Sequence, residues 1–163
     1  MVKQGGKTAG ELGGQLENFV EELIKHSGYE YVVNNKFVVA SNSLPQKLYT
    51  KQLVICESIY SAPDHIHKLK ADFVIFNPQN NERYMIIECK SQTSGGSVDE
   101  KYPYTNENIK LKYPYKTIIV LDASGAKKGA IKWLKEQEKT NPKLEHVFEN
   151  FSDFRAWAIK NLG

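Results

Sequence analysis

Arginine is nearly missing from this chain: of 22 basic residues only Arg83 and Arg155 carry a guanidinium, and the rest are lysines. Arginine is the side chain that most often reads guanine in a DNA groove, so any base readout here would lean on Lys, Asn, Gln, Ser or Tyr. Cysteine is equally scarce. Cys56 and Cys89 are the only two, each inside an apolar run, where cysteine behaves as a small buried hydrophobe. A disulfide framework is not expected, and a reduced, cytoplasmic compartment is. No unbroken apolar stretch is long enough to cross a bilayer, and MVKQGGKTAGELGG at the N-terminus lacks the apolar core of a secretory leader. Membrane insertion and secretion are therefore not expected. His65 and His67 alternate with Ile66 as a metal pair would, but no second cluster of His or Cys supports zinc. A polar loop, placed to touch nucleic acid, is the plainer reading.

What is present suits one globular domain over residues 1–163, with 40% hydrophobic and 25% charged residues. KYPY occurs at Lys101–Tyr104 and again at Lys112–Tyr115, too little to make a repeat architecture. The net charge of +3 is modest, but it is unevenly spread. Between residues 101 and 135 stand eight lysines (Lys101, Lys110, Lys112, Lys116, Lys127, Lys128, Lys132, Lys135) against only Glu107 and Asp122. Such a concentration is either a solvated face or a track for a phosphate backbone.

Leu12, Leu16, Phe19, Val20, Leu23 and Ile24 recur at helical spacing before Gly28, which predicts an amphipathic helix from about Ala9 to Ser27 with Glu17 flanking its apolar stripe. The runs Tyr29–Ala40 and Leu53–Tyr60 read as strands. Asp72 opens the apolar run FVIF, the turn NPQNNE follows, and Tyr84–Cys89 forms the partner strand of a hairpin. After a Ser/Gly loop, Ser97-Val98-Asp99-Glu100 fits a capping box, with Pro103 expected to kink or restart the helix near Thr105 and Pro114 to close it. Thr117–Leu121 reads as a buried strand, Ala126–Lys139 as a helix, His146–Phe148 as a short strand and Phe151–Asn161 as a last helix. The order predicts an α/β domain with a mixed sheet.

One stretch carries chemistry. In MIIECKSQ, three apolar residues lead to Glu88, Lys90 and Gln92, which alternate along a strand and so project from one face. An acid-x-Lys tripeptide is weak by itself, since roughly two are expected by chance at this composition, and Asp99-Glu100-Lys101 is a second instance. Context separates them: Glu88 closes an apolar strand, and a hairpin could bring the Asp72 carboxylate beside it. Two carboxylates held together suit a hard divalent cation such as Mg²⁺. A lysine one strand step away can orient an attacking water and neutralise charge on a phosphate.

KADFVIF followed by YMIIECKSQ resembles the signature of the PD-(D/E)XK nuclease superfamily, with an acid in one strand, E-x-K closing the next and a Gln shortly after. GELGGQLENFVEELIKHSGYE is similar to the Glu-bearing first helix of many members, and SGGSVDEKYPY to the loop and helix start of some type II restriction enzymes. The resemblance implies a restriction-endonuclease-like fold, a mixed β-sheet flanked by helices with an αβββαβ core plus a C-terminal strand and helix. It makes Asp72 and Glu88 metal ligands, with the Cys89 carbonyl a third, Lys90 the residue serving the attacking water, and Glu17 an auxiliary acid. Ala71 stands where the family often has proline; the literal Pro63-Asp64 is not followed by an apolar strand, which leaves Asp72 as the acid.

The function so implied is a Mg²⁺-dependent endonuclease hydrolysing double-stranded DNA, most like a type II restriction enzyme. A homodimer is expected, because cutting both strands of a symmetric site needs two active sites related by a two-fold axis. Gln92, Lys101, Tyr102, Lys110 and Lys112 are the expected DNA contacts, although tyrosines beside prolines can equally pack onto the core. The alternatives are a Holliday-junction resolvase or repair nuclease of the same superfamily, and a DNA-binding subunit that does not cut.

Overall fold

The computed structural model of the chain describes residues 9–92 and 95–163, with side chains from residue 14 onward. The side chain of Leu12 and the loop residues Thr93 and Ser94 lie outside that description. Helix α1 (Ala9–His26) buries Leu16, Val20 and Ile24, four and four apart, on one face. Phe19, counted in the same stripe, is instead mostly exposed and leans on Phe151, ring centroids 5.5 Å apart. Gly28 turns the chain at φ 91°, a left-handed conformation that favours glycine after a helix.

The run expected as a strand from Tyr29 to Ala40 is mostly not one. Only β1 (Glu30–Tyr31) is extended, and α2 (Asn34–Ser43) follows at once. The four valines Val32, Val33, Val38 and Val39 favour a strand, but Phe37 and Ser41, one helical turn apart, are the buried residues of α2. Docking of that face prevailed over β propensity. Three strands then run β2 (Leu48–Glu57), β3 (Lys68–Phe76) and β4 (Tyr84–Ser91). Asp72 does not open its strand; it sits in the middle of β3, whose polar first half Lys68–Ala71 also pairs with β2.

A single 3-10 turn at Asp99–Lys101 leads into α3 (Tyr102–Leu111). No side chain caps either element, so the capping box at Ser97 does not form, and Pro103 fits the first turn of α3 without breaking it. The chain closes with β5 (Thr117–Asp122), α4 (Lys128–Glu136), a 3-10 turn at Gln137–Lys139, β6 (Leu144–Phe148) and α5 (Phe151–Asn161).

Among the described residues the strands form one mixed sheet in chain order, with the β2–β3 and β3–β4 pairs antiparallel and the β1–β2, β4–β5 and β5–β6 pairs parallel. Alternation along the strands feeds two cores. Val74, Phe76, Ile86 and Ile119 pack with residues of α2, α3 and α4, while Phe73, Ile75, Ile87 and Ile118 pack with α1 and α5. This is the α/β architecture of restriction-endonuclease-like proteins, five helices flanking a six-stranded mixed sheet. None of the described helices is long and apolar enough to cross a membrane.

One residue violates strand geometry. Gln52, inside β2, has φ 53°, a conformation in which an L side chain crowds the backbone at a cost of roughly 1–2 kcal/mol. The pairings Lys51↔Phe73 and Leu53↔Ala71 bracket it and set it opposite Asp72. Gln52→Gly and Gln52→Ala both lose the side-chain amide and only Gly is free of that crowding, so Gln52→Gly is expected to be more stable than Gln52→Ala by about 1 kcal/mol in urea denaturation, and the β-branched Gln52→Val less stable than either. Equal stability of the Gly and Ala variants would contradict the strain.

Candidate active site

The site is made by a fork in the sheet. β3 and β4 pair from Phe76↔Tyr84 as far as Phe73↔Ile87, beyond which Ala71 and its predecessors stay with β2 while Glu88–Ser91 stay with β5. Separation strips β4 of ladder partners on that side, and a buried N–H needs a replacement. The Asp72 carboxylate supplies it: Cys89 N–H donates to Oδ2 at 2.8 Å, and Gln52 Nε2 donates to Oδ1 at 3.2 Å. Asp72 is thereby held from both sides of the fork. Because a strand residue turns its N–H and C=O to the same side, the Cys89 carbonyl faces the same gap.

Glu88, two residues beyond Ile86, shares its face and is buried, with only 3% of its surface exposed. Its Oε1 accepts a hydrogen bond from the Tyr113 hydroxyl at 2.7 Å. Burial first, and the Asp72 charge second, push the Glu88 carboxyl up to about 8, against the opposing effect of the Lys90 ammonium. At neutral pH Glu88 therefore keeps its proton. The same burial and the adjoining Glu88 drive the Tyr113 hydroxyl far above its ordinary range, so it remains a donor. Two bonds fix Tyr113 itself: its N–H donates to the Asn108 carbonyl at 3.0 Å and its carbonyl accepts from Lys143 Nζ at 2.7 Å.

Lys90 lies half-buried in a cleft of about 290 Å³ with Cys89, Ser91, Lys101, Tyr104 and Thr105. It makes no ion pair with Glu88 or any other acid among the described residues. A simple Glu88–Lys90 strand pair is thus not what the geometry contains. Glu17 approaches from α1, its carboxyl raised by burial and by the Asp72 charge and lowered by Lys90. One turn on, Glu21 ties α1 to β2 by accepting from the Tyr49 hydroxyl at 2.7 Å and from Lys51 Nζ at 3.1 Å. Asp72 and Lys90 are therefore each within electrostatic reach of both Glu17 and Glu88. Among the described residues, however, no three His, Cys, Asp or Glu side chains close around a common point.

Two of the expected DNA contacts are buried in the structure. Tyr102 has 1% of its surface exposed and packs in the core, because Tyr102, Asn106 and Ile109 share the buried face of α3. Gln92 is 6% exposed and its amide is committed: Oε1 accepts from Asp99 N–H at 2.8 Å and Nε2 donates to the Gly125 carbonyl at 3.4 Å. It braces the loop after β4 against the loop after β5. Lys101, Lys110 and Lys112 are exposed near the two ends of α3, a helix about 15 Å long at 1.5 Å per residue. Of the other lysines in that segment, Lys116 pairs with Glu82 at 3.1 Å and Glu145 at 3.4 Å, and Lys135 with Glu149 at 3.5 Å. Nothing in the sequence marks Gln52 or Tyr113 as a site residue. No local pattern marks Gln52, whereas Tyr113, in an apolar position after α3, was visible only as one of a tyrosine cluster.

A proton held on Glu88 links folding to pH. The unfolded carboxyl titrates near 4.5 and the folded one near 8, so the folded state gains stability from this group below pH 4.5 and loses it as pH rises to about 8. The slope approaches 1.4 kcal/mol per pH unit for one proton. Glu88→Gln cannot ionise and retains an oxygen for Tyr113, so its stability relative to wild type should increase steadily between pH 5 and pH 8 in urea denaturation. A pH-independent difference would contradict the buried, neutral Glu88.

The family model of the PD-(D/E)XK nuclease superfamily domain matches residues 8–162, which takes in α1, both arms of the fork, α3 and every later element. Neither the curated proteins nor the solved structures contain a significant match to the chain. The match runs through nearly the whole sequence: the chain belongs to the PD-(D/E)XK nuclease superfamily.

Proposed function

We propose that the protein is a Mg²⁺-dependent endodeoxyribonuclease that hydrolyses phosphodiester bonds at the β3/β4 fork, acts on double-stranded DNA as a homodimer, and works in the cytoplasm. The observation that carries this reading is the juxtaposition of Asp72 and a buried Glu88 with a lysine that has no carboxylate partner among the described residues. The donor chemistry fits a hard cation: Asp72, Glu88 and the Cys89 carbonyl are all oxygen donors, and the Asp72 charge acts on both Glu88 and Glu17. Mg²⁺ usually keeps several of its own waters and is held by one or two carboxylates, so Asp72 and Glu88 would be enough to hold it. Such a cation would polarise a phosphoryl oxygen and lower the pKa of water at the site.

The chain's own groups do the rest. Cys89 N–H and Gln52 hold the Asp72 carboxylate in one orientation, and Tyr113 holds Glu88. Lys90 Nζ orients the attacking water or donates to a non-bridging phosphate oxygen as charge develops there. Lys101, Lys110 and Lys112 neutralise the backbone of the bound strand. Type II restriction is the preferred biology. A resolvase or repair nuclease of the same superfamily is the second reading, favoured by the position of the two arginines. Arg83 lies in the turn before β4, at the opposite end of that strand from Glu88, and Arg155 lies on α5.

Single-turnover hydrolysis of plasmid DNA in Mg²⁺ tests the reading. Asp72→Ala should abolish cutting while retaining DNA binding. Lys90→Ala should slow cutting on the order of a hundredfold or more, since a donor to the transition state contributes several kcal/mol, yet change stability by no more than about 1 kcal/mol. Normal cutting by both variants would overturn the assignment. Discrete plasmid fragments support restriction, and cutting confined to branched DNA supports the second reading.

The log–log salt dependence of DNA affinity should flatten by about one unit for each of Lys101, Lys110 and Lys112 neutralised, and not at all for the ion-paired Lys116. The same change in slope for Lys116 would contradict the proposed track.

A further inference from the structure

Between β2 and β3 the chain forms a small, heavily bonded loop over residues 58–67. Ser58 N–H donates to the His67 carbonyl at 2.8 Å, Ala62 and His65 exchange two backbone bonds at 3.0 and 2.9 Å, and the Ser58 hydroxyl meets His67 Nδ1 at 2.9 Å. A buried amide fastens this loop to α3. Asn108, 1% exposed, accepts from Ile59 N–H at 2.9 Å through Oδ1 and donates to the Tyr104 carbonyl at 3.0 Å through Nδ2. One side chain thus fixes the residue before Tyr60 and the residue Tyr104 in a common frame. Their rings stack, with centroids 4.9 Å apart and planes 17° from parallel. Tyr60 nevertheless remains 71% exposed. Tyr104 in turn lines the cleft that holds Lys90 and Lys101.

An aromatic ring held rigidly, covered on one face and bare on the other, at the rim of a cationic cleft matches the elements that bind single-stranded nucleic acid: a stacking surface beside charges that neutralise the backbone. A base inside a duplex has both faces covered by its neighbours and cannot lie flat on such a ring. Only a base that is unpaired or turned out of the helix can do so. Resting on the nuclease reading above, we propose that Tyr60, backed by Tyr104, is a stacking site for an unpaired base of the DNA substrate, next to the phosphodiester held at Lys90 and Lys101. In a duplex cut at the fork the occupant is a base turned out of the helix, and DNA that already carries an unpaired nucleotide, at a branch, bulge or single-stranded end, binds more tightly because it does not have to be unstacked first.

The test is equilibrium binding by fluorescence anisotropy in EDTA, where no strand is cut. Three labelled DNAs are compared: a continuous duplex, the same duplex with one extrahelical base, and one separated strand. Wild type should prefer the latter two. Tyr60→Ala should lose about ten-fold to a hundred-fold in affinity for them with no change on the duplex, and Tyr60→Phe, which keeps the ring, should retain it. With 2-aminopurine as the extrahelical base, binding to wild type should quench its fluorescence and binding to Tyr60→Ala should not. Affinity for all three DNAs that is unchanged in Tyr60→Ala, or lowered equally, overturns the stacking site while leaving the nuclease reading intact. A wild-type protein that binds none of the three and cuts no DNA in Mg²⁺ overturns both.

Discussion

The bond from Cys89 N–H to the Asp72 carboxylate is the interaction on which the rest of the site depends. β3 and β4 must pair tightly at Phe73 and Ile87 to close the core, and must separate one residue later to leave room for chemistry. Separation exposes backbone groups that an uninterrupted ladder would satisfy, and a side chain from the departing strand replaces the lost partner. The carboxylate is thereby oriented by the same event that opens the gap. Position, orientation and access are set by one irregularity in an otherwise regular sheet.

The surrounding residues work against stability in ways a site can tolerate. Glu88 is buried beside a second carboxylate and relieves the repulsion by keeping a proton and accepting from Tyr113. Gln52 holds a left-handed backbone conformation within a strand and directs its amide to Asp72. Strain and like charge gather at functional sites because the surrounding fold over-determines them. Here that support is visible in the fully buried residues Ile86, Ile87, Ile118 and Ile119, which lock β4 and its neighbour β5 from both faces of the sheet.

Much of this was legible in the sequence because the strands that carry it have a two-residue period and uninterrupted apolar cores. β4, β5 and α5 fall where their patterns put them, and alternation alone sets Glu88 and Lys90 on the face of Ile86. Where local propensity and packing disagree, the sequence misleads. The valines around Asn34-Asn35-Lys36 favour a strand, but the burial of Phe37 and Ser41 makes a helix. Asp72 reads as the start of a strand because the residues before it are polar, although they pair with β2. Tyr102 and Tyr104 look alike in KYPY, yet two residues along a helix turn them to different sides, one into the core and one to the cleft. Contacts between distant segments, such as Tyr113 with Glu88 and Asn108 with Ile59, have no local signature at all.

The account stands on the fork being a binding site for a divalent cation. Titrating Mn²⁺, a spectroscopically active substitute for Mg²⁺, into the protein by electron paramagnetic resonance and calorimetry measures this without reference to any DNA. Uptake of one ion per chain by wild type, lost in Asp72→Asn with the fold intact by circular dichroism, is the predicted result. Absence of uptake by wild type, or equally tight uptake by Asp72→Asn, would contradict it.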